Sequence, residues 1–305
     1  MEKLKLKVNM NIIKHRKIFF IFSGLLIAAS IIALFLWQLN LSIDFEGGSL
    51  LEIEWIDQRP ENKDVQESLI SFELGKINIQ STGDRGMLLR FKNIDENTHQ
   101  KILNNLKNDF GNLEEKRFES IGPIIGAELK KKALWSISLT LIVILIFVAW
   151  AFRKVSFPIK SYRYGIIAVI ALFHDVLIIV GVFSVLGHFY GVEVGVPFVA
   201  ALLTVLGYSV NDSIVVFDRI RENLLSYKTK DEEFAETVGT SLNQTITRSI
   251  NTSLTTLLVL LAVFFFGGAN IQYFVLALIL GIFFGTYSSI FIASPLLVAW
   301  EKRKK

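Results

Sequence analysis

The stretch VGVPFVAALLTVLGYSVNDSIVVF, residues 194–217, is long and apolar enough to be a membrane-spanning helix, which needs about 20 such residues. Asp212 is its only acidic residue, and the stretch contains no Lys, Arg or His. A charged side chain at the bilayer centre costs roughly 2.5–3.5 kcal/mol on insertion scales, so it usually faces a polar interior, a partner or an ion path. We therefore predict a membrane protein with a functional carboxylate at Asp212.

The composition fits a membrane protein that carries one soluble portion. Of the 305 residues, 52% are hydrophobic, 20% are charged and none is Cys. The chain lacks the G-x-x-x-x-G-K-[ST], H-E-x-x-H and G-x-S-x-G motifs. Its basic residues flank apolar segments, which membrane topology explains without nucleic acid. We predict no enzyme, cofactor, metal site or nucleic-acid partner, and an energy-using role must then draw on an ion gradient.

Six apolar segments are predicted to span the membrane, at residues 18–38, 133–152, 163–187, 194–217, 246–266 and 271–299. The first is longer than a signal-peptide core of about 7–15 residues, so we expect an uncleaved helix. The last is long enough to tilt or to break near Pro295. Lys and Arg are concentrated at residues 1–17, 153–163, 219–230 and 302–305, which the positive-inside rule places in the cytoplasm together with both termini.

The segment 39–130 is predicted to be an exported α+β domain. Strands are expected at 49–55, 76–81, 87–92 and 113–120, and helices at 65–74 and 97–110. The order βαββαβ is that of the ferredoxin-like fold. The domain plan is then a basic N-terminus (1–17), a first spanning helix (18–38), the exported domain (39–130), five more spanning helices (131–300) and a basic C-terminus (301–305).

Arg248 is the predicted partner of Asp212. It lies near the cytoplasmic start of the next apolar segment, at a depth comparable with that of Asp212, so we expect the two to meet. Asn251 and Thr255 share the helix face of Arg248. One hypothesis is a proton-coupling site; the alternative is a structural ion pair with interhelical hydrogen bonds.

His174 and Asp175 form a second candidate site, near the middle of segment 163–187. An imidazole beside a carboxylate at mid-membrane can relay protons. The alternative is that both satisfy polar groups of neighbouring helices. Adjacent helical residues point about 100° apart, so we expect the two side chains to serve different partners.

Small residues repeat every four positions in the last segment, at Gly281, Gly285 and Ser289. Such a stripe lets helix backbones approach closely. We predict a packing face, either within the bundle or against a partner subunit.

Five motifs resemble those of one family: LSIDFEGGS (41–49), IGPIIGAEL (121–129), ALLTVLGYSVNDSIVVFDRIREN (201–223), LNQTITRSINTS (242–253) and GTYSSIFIASPL (285–296). They are similar to the SecF group of bacterial protein-export membrane proteins, in the SecD/SecF family. The resemblance implies an inner-membrane subunit that acts with SecD, the SecY–SecE–SecG channel and YajC on unfolded preproteins, driven by the proton gradient. It also places the key Asp of that family at Asp212 and its key Arg at Arg248.

Two other functional classes remain as alternatives. The same fold resembles half of a resistance-nodulation-division transporter, a proton-driven exporter of small molecules or lipids. The exported portions of those proteins are several times larger than segment 39–130. A passive scaffold for other membrane proteins is the third class, and it has no need of charges within the membrane.

Overall fold

The structure is a computed structural model that describes residues 12–153, 160–226 and 234–302. Most of the predicted basic N-terminus, parts of two basic connections and the last three residues lie outside these ranges. The chain divides into two compact units, and each is described by itself. One unit, called the membrane unit, combines Met1–Asn40 with Trp135–Lys305. The other, Leu41–Leu134, corresponds to the predicted exported segment and is called the soluble unit.

The α-helices are α1 (Arg16–Trp37), α2 (Ile43–Glu46), α3 (Asn62–Ser68), α4 (Glu96–Phe110), α5 (Pro123–Ala151), α6 (Ser161–Tyr190), α7 (Val196–Ser226), α8 (Phe234–Phe266), α9 (Ala269–Ser288) and α10 (Ser294–Lys302). A 3₁₀ turn follows α3 at Ile70–Phe72, and a π-helical turn joins α9 to α10 at Ser289–Ala293.

Within the described residues, six helical runs are long and apolar enough to cross a membrane, which agrees with the predicted polytopic membrane protein: α1, α5, α6, α7, α8 and the run from α9 through α10. α5 and α8 start ten or more residues before their predicted apolar segments. At 1.5 Å per residue, the 33 residues of α8 extend about 50 Å, more than the roughly 30 Å of a hydrocarbon core. The N-terminal turns of α5 and α8 are polar and lie outside the apolar segments, so hydropathy does not predict where these helices start.

The centre of the membrane unit is formed by α6, α7 and the α9–α10 run. About half of the apolar window of each is buried, against 6% in α5 and 11% in α8. Glycines allow the central helices to approach: a Cβ atom at Gly281 would overlap Val205, and one at Gly285 would lie 2.9 Å from the Cβ of Ser209. The predicted packing face at the small residues thus joins α9 to α7 within this chain.

The break predicted near Pro295 takes the form of the π-helical turn. Proline has no N–H to donate to the carbonyl four residues earlier, so the regular ladder cannot continue through it. The turn shifts the register ahead of the proline, and the Ser294 hydroxyl donates to the carbonyl of Ser289 at 3.1 Å. The helix therefore continues, with its side chains rotated relative to an uninterrupted α-helix.

The second unit contains a four-stranded antiparallel sheet in the order β2–β3–β1–β4, whose strands are β1 (Gly48–Trp55), β2 (Asn78–Thr82), β3 (Gly86–Phe91) and β4 (Leu113–Ile121). Alternate residues of β1, among them Leu51, Ile53 and Trp55, are fully or almost fully buried. They pack with apolar residues of α3 and α4, such as Val65 and Ile102. Each predicted strand and helix of this unit is present within a few residues.

Residues Ile43–Glu46, shortly before β1, form a short helix, α2, which the sequence did not predict. The Ser42 hydroxyl caps it by accepting a hydrogen bond from the Asp44 N–H at 3.2 Å. Gly47 ends it with φ of 77°, and a Cβ atom there would lie 2.7 Å from the Cα of Pro123. Only glycine suits this position, because both the left-handed backbone and the close approach exclude a side chain.

Candidate functional site

Asp175 lies at the centre of the membrane unit, in the middle of α6, and is completely buried. Its Oδ2 atom accepts hydrogen bonds from the hydroxyls of Ser209 on α7, at 2.6 Å, and Ser288 on α9, at 2.8 Å. Its Oδ1 atom lies 2.9 Å from Nδ1 of His174. Three helices thus meet at this one carboxylate.

The contact between His174 and Asp175 corrects our expectation that they serve different partners. Their Cα–Cβ bonds diverge on the helix, but both side chains are long enough to bend towards each other. Because His174 is 2% exposed, the neighbouring carboxylate is a partner that its imidazole can reach inside the protein. Its Nε2 atom has no hydrogen-bond partner among the residues that the structure describes.

Asp212 is also buried, on the side of α7 that faces α9. Its Oδ2 atom accepts a hydrogen bond from the hydroxyl of Ser289, the first residue of the π-helical turn. Within the described ranges, neither Asp212 nor Asp175 forms a salt bridge with a Lys or Arg residue. Two carboxylates are therefore enclosed by hydroxyls and one imidazole.

The predicted contact between Asp212 and Arg248 is not formed. Arg248 is exposed, on the surface of α8, as are Asn251 and Thr255. The Thr255 hydroxyl donates to a carbonyl of its own helix, that of Thr252, at 2.9 Å. The physical reason is the rotation of α8, which turns the face with Ser249 and Ser253 inwards.

That inward face of α8 forms a second set of hydroxyl contacts. The Tyr208 hydroxyl on α7 donates to Ser253 at 3.2 Å, and Ser253 shares a 2.5 Å hydrogen bond with Thr286 on α9. Ser249, one turn before Ser253, is also buried. The predicted polar stripe with Arg248 and the actual polar contacts of α8 are therefore on different faces.

The small-residue stripe sets the register of the site. Gly281 packs on Val205, Gly285 on Ser209, and the third member of the stripe, Ser289, reaches Asp212. The sequence pattern predicted only a packing role for Ser289, and it pointed to no role for Ser288. The spacing of the stripe could have pointed to Ser289, since an α7–α9 contact at two glycines places the next turn beside Asp212.

The donors at the two carboxylates suit either protonation state. An ionised carboxylate only accepts hydrogen bonds, whereas a protonated one also donates, and a hydroxyl can rotate to serve as donor or acceptor. A fixed Lys or Arg partner would favour one state only. The hydroxyls of Ser209, Ser288 and Ser289 can therefore keep their hydrogen bonds to the two carboxyl groups in either protonation state.

Comparison with known proteins agrees with the motifs noted above. Residues 101–303 match the family model described as "Protein export membrane protein SecD/SecF, C-terminal". The chain is 46% identical to the protein translocase subunit SecF of Thermobaculum terrenum, over 96% of this chain and 94% of that protein. It is 40% identical to SecF of Vibrio alginolyticus, over 96% of this chain and 90% of that protein.

Longer relatives match as well. The translocase subunit SecDF of Bacillus subtilis is 35% identical over 95% of this chain, which covers 38% of that protein. The crystal structure of SecDF from Thermus thermophilus, a translocon-associated membrane protein, aligns with a TM-score of 0.82 at 34% identity. The alignment covers 96% of this chain and 39% of the SecDF chain. This chain belongs to the SecD/SecF family, as a SecF-type subunit of the protein translocase.

Proposed function

We propose that this subunit acts with SecD to use the proton-motive force to promote export of unfolded preproteins through the SecY–SecE–SecG channel, with YajC as a further partner. The observation that carries the proposal is the pair of buried carboxylates, Asp175 and Asp212, whose partners are hydroxyls and an imidazole rather than fixed cations. A proton that crosses the membrane releases about 2.3 kcal/mol per 100 mV. That energy is available without a nucleotide.

Protonation of Asp212 is the proposed coupling step. The neutral carboxyl group gains a proton to donate, so its hydrogen bond with Ser289 must rearrange, and the close contact between α7 and α9 changes with it. The proton enters from the exported side and leaves to the cytoplasm. Movement of these helices then drives the exported domain.

Arg248 takes part from a different position than the sequence predicted. It lies on a polar surface of α7 and α8 that hydrocarbon cannot cover at low cost, because each unpaired polar group in lipid costs several kcal/mol. That surface includes the exposed side chains of Asn211, Arg248 and Asn251, together with Thr204 and Thr255, whose hydroxyls donate to carbonyls of their own helices. We propose that SecD helices cover it and that Arg248 meets the proton path there.

The longer relatives support this choice of partner. Their name combines SecD and SecF, and this chain covers only 38–39% of their length. A cysteine at Asn251 should crosslink to SecD in native membranes. A cysteine at Val216, which is fully buried on α7, is the matched negative control. Crosslinking only to further copies of this chain would contradict the proposed partner.

The soluble unit is proposed to be an exported ferredoxin-like domain, within the domain plan given above. Its β-α-β-β-α-β order and β2–β3–β1–β4 sheet support the fold. The distribution of Lys and Arg supports an inner-membrane protein with both termini in the cytoplasm and this domain outside. A cysteine at Asn104, exposed on α4, should react with an impermeant maleimide in spheroplasts. Reaction only in broken membranes would refute this orientation.

Asp212→Asn tests the function directly. Asn keeps the shape of the side chain but cannot titrate, so gradient-dependent stimulation of preprotein translocation should be abolished in membrane vesicles. Asp218→Asn is the control, because Asp218 lies on the same helix but is exposed and pairs with Arg221 at 3.2 Å. Equal stimulation by wild type and Asp212→Asn, at equal membrane abundance, would remove Asp212 from the mechanism.

The alternative of a small-molecule or lipid exporter is not favoured, because the relatives reported above are named as subunits of the protein translocase.

A further inference from the structure

Two consecutive serines connect the two buried carboxylates. Ser288 donates its hydrogen bond to Asp175 on α6, and Ser289 donates to Asp212 on α7. Ser288, Ser289 and Asp175 have no exposed surface, and Asp212 is 8% exposed. Both serine–aspartate contacts therefore lie inside the protein.

Helix geometry explains why neighbours serve different acids. Successive side chains of a helix point about 100° apart, so a helix packed between α6 and α7 can direct one serine to each. A second covalent connection runs along α7, where Ser209 donates to Asp175 and Asp212 follows three residues later. Asp175 and Asp212 are thus connected in two ways, through the adjacent residues Ser288 and Ser289 and through the stretch of α7 from Ser209 to Asp212.

The connection lies where the helix is irregular. The π-helical turn starts at Ser289, and such turns are rare and frequent at functional sites. Pro295 prevents a regular ladder here, so the register of the turn is less firmly fixed than in a continuous α-helix. Ser288 is the last residue of α9 and Ser289 is the first residue of the turn, so the two hydroxyls lie where the helix changes its register.

We propose that Ser288 and Ser289 are positioning residues that couple the protonation of Asp175 to that of Asp212. When Asp212 accepts a proton, the Ser289 hydroxyl exchanges its role as donor for that of acceptor and keeps its own proton. The turn adjusts, the hydrogen bond of Ser288 to Asp175 changes, and the two acids titrate as a pair. The inference rests on the proposed proton coupling and specifies how its two carboxylates are linked.

Infrared spectroscopy of the full-length protein, reconstituted with SecD in liposomes, tests this coupling. The carboxyl absorption of Asp212 is followed as a function of pH and assigned by its loss in Asp212→Asn. Replacing Asp175 with Asn should move the titration midpoint of Asp212 by about one pH unit or more, the interaction at which two groups titrate as a pair. In a Ser288→Ala, Ser289→Ala background, the same replacement should move it much less.

Controls separate coupling from folding. Ser294→Ala removes a buried hydroxyl directly after the turn, which contacts the Ser289 carbonyl and no carboxylate, so the midpoint shift should remain. Ser288→Thr and Ser289→Thr keep the hydroxyls, and the shift should be retained even if the alanine variants are too unstable to measure. Loss of the shift in Ser294→Ala, or its loss in both threonine variants, would overturn the assignment to the hydroxyls.

Failure of the inference is distinguishable from failure of the proposed function. A midpoint shift of full size in the serine-to-alanine background would show that the acids interact directly, and it would overturn the role of the serines alone. If Asp212→Asn retains gradient-dependent export, the proposed function fails whatever the infrared titration shows. A midpoint for Asp212 that does not respond to Asp175→Asn in the wild-type background would overturn the coupling itself.

Discussion

Carboxylates of the membrane unit and of the soluble unit have opposite surroundings. Asp175 and Asp212 are buried, with hydroxyl and imidazole partners. Glu114 and Lys116 of the soluble unit form an exposed ion pair at 2.6 Å. That hydrogen bond lowers the pKa of Glu114, and hydrogen bonds to Glu114 and Glu54 raise the pKa of Lys116.

This difference in surroundings indicates which carboxylates can couple protonation to a change in helix packing. An exposed ion pair gains little stability, because water already solvates both charges. A buried carboxylate without a cation is costly to maintain and has its hydrogen bonds arranged for both protonation states. The proposed function therefore rests on the buried acids.

After Asp212→Asn, the largest effect is expected for Asp175→Asn. It should remove most gradient-dependent export while the protein still inserts, because the amide cannot titrate at the point where α6, α7 and α9 meet. Vesicle translocation and membrane abundance are measured together. Glu114→Gln is the matched exposed control and should retain wild-type export. Full activity of Asp175→Asn would make its surroundings purely structural.

Gly281→Val should disrupt the helix packing that encloses Asp175 and Asp212. The added side chain would overlap Val205, and overpacking of a core costs about 1–3 kcal/mol. We expect a lower melting temperature in detergent and weaker export, since Ser289 moves away from Asp212. Gly207→Ala on α7 is the control, because nothing lies within 4 Å of a Cβ atom there. Equal melting temperatures for both variants would contradict the tight α7–α9 contact.

Acid should weaken the soluble unit through its exposed carboxylates. Hydrogen bonds from Thr98 lower the pKa of Asp95 below 3.8, and those from Gln100 and His99 lower the pKa of Glu96 below 4.5. A group whose folded pKa is depressed stabilises the fold above its unfolded pKa, and that contribution is lost as pH falls through the folded pKa. The protection of α4 amides against hydrogen exchange, taken relative to the intrinsic exchange rate at each pH, should therefore fall below about pH 4.5.

Asp95→Asn is the matched variant for that pH series. Asp95 caps α4 by accepting a hydrogen bond from the Thr98 N–H at 3.0 Å, and Asn also caps well without titrating. The variant should lose part of the acid sensitivity of α4 and be close to wild type at neutral pH. An unchanged acid response would assign the effect to other groups.

The smallest effect is expected for Glu114→Gln at neutral pH. It breaks the exposed pair with Lys116, whose second partner, Glu54, remains at 3.2 Å. The melting temperature of the soluble unit should be unchanged within error. A clear decrease would mean that exposed ion pairs stabilise this sheet more than the comparison implies.

The sequence predicted the secondary structure well where the apolar residues form a long run or a clear alternation. Apolar length located the six spanning helices, and alternation located β1 and β3 in the soluble unit. It missed α2, a single turn fixed by the Ser42 cap and Gly47, because four residues carry no period. It also placed the starts of α5 and α8 too late, because their first turns are polar.

The candidate site was only partly predictable. Asp175 and Asp212 could be identified from the sequence, because placing a carboxylate in an apolar membrane segment costs free energy and such a residue is easily noticed. Their partners did not stand out: Ser288 and Ser289 are ordinary residues for a membrane helix, and they became donors because the close packing of α9 on α7 places them beside the two acids. Arg248 stood out as clearly as Asp212, yet α8 turns it outwards.

By itself, the sequence determined how many segments are apolar enough to span a membrane, the strand order along the chain and which acids are expensive to bury. Those properties depend on composition and spacing, which are local. Only the tertiary structure decided that Asp175 meets Ser209 and Ser288, that Asp212 meets Ser289, and that Arg248 faces away. Such contacts depend on the rotation of each helix about its axis, and that rotation is set by close packing at Gly281 and Gly285 against a helix about 75 residues earlier in the chain.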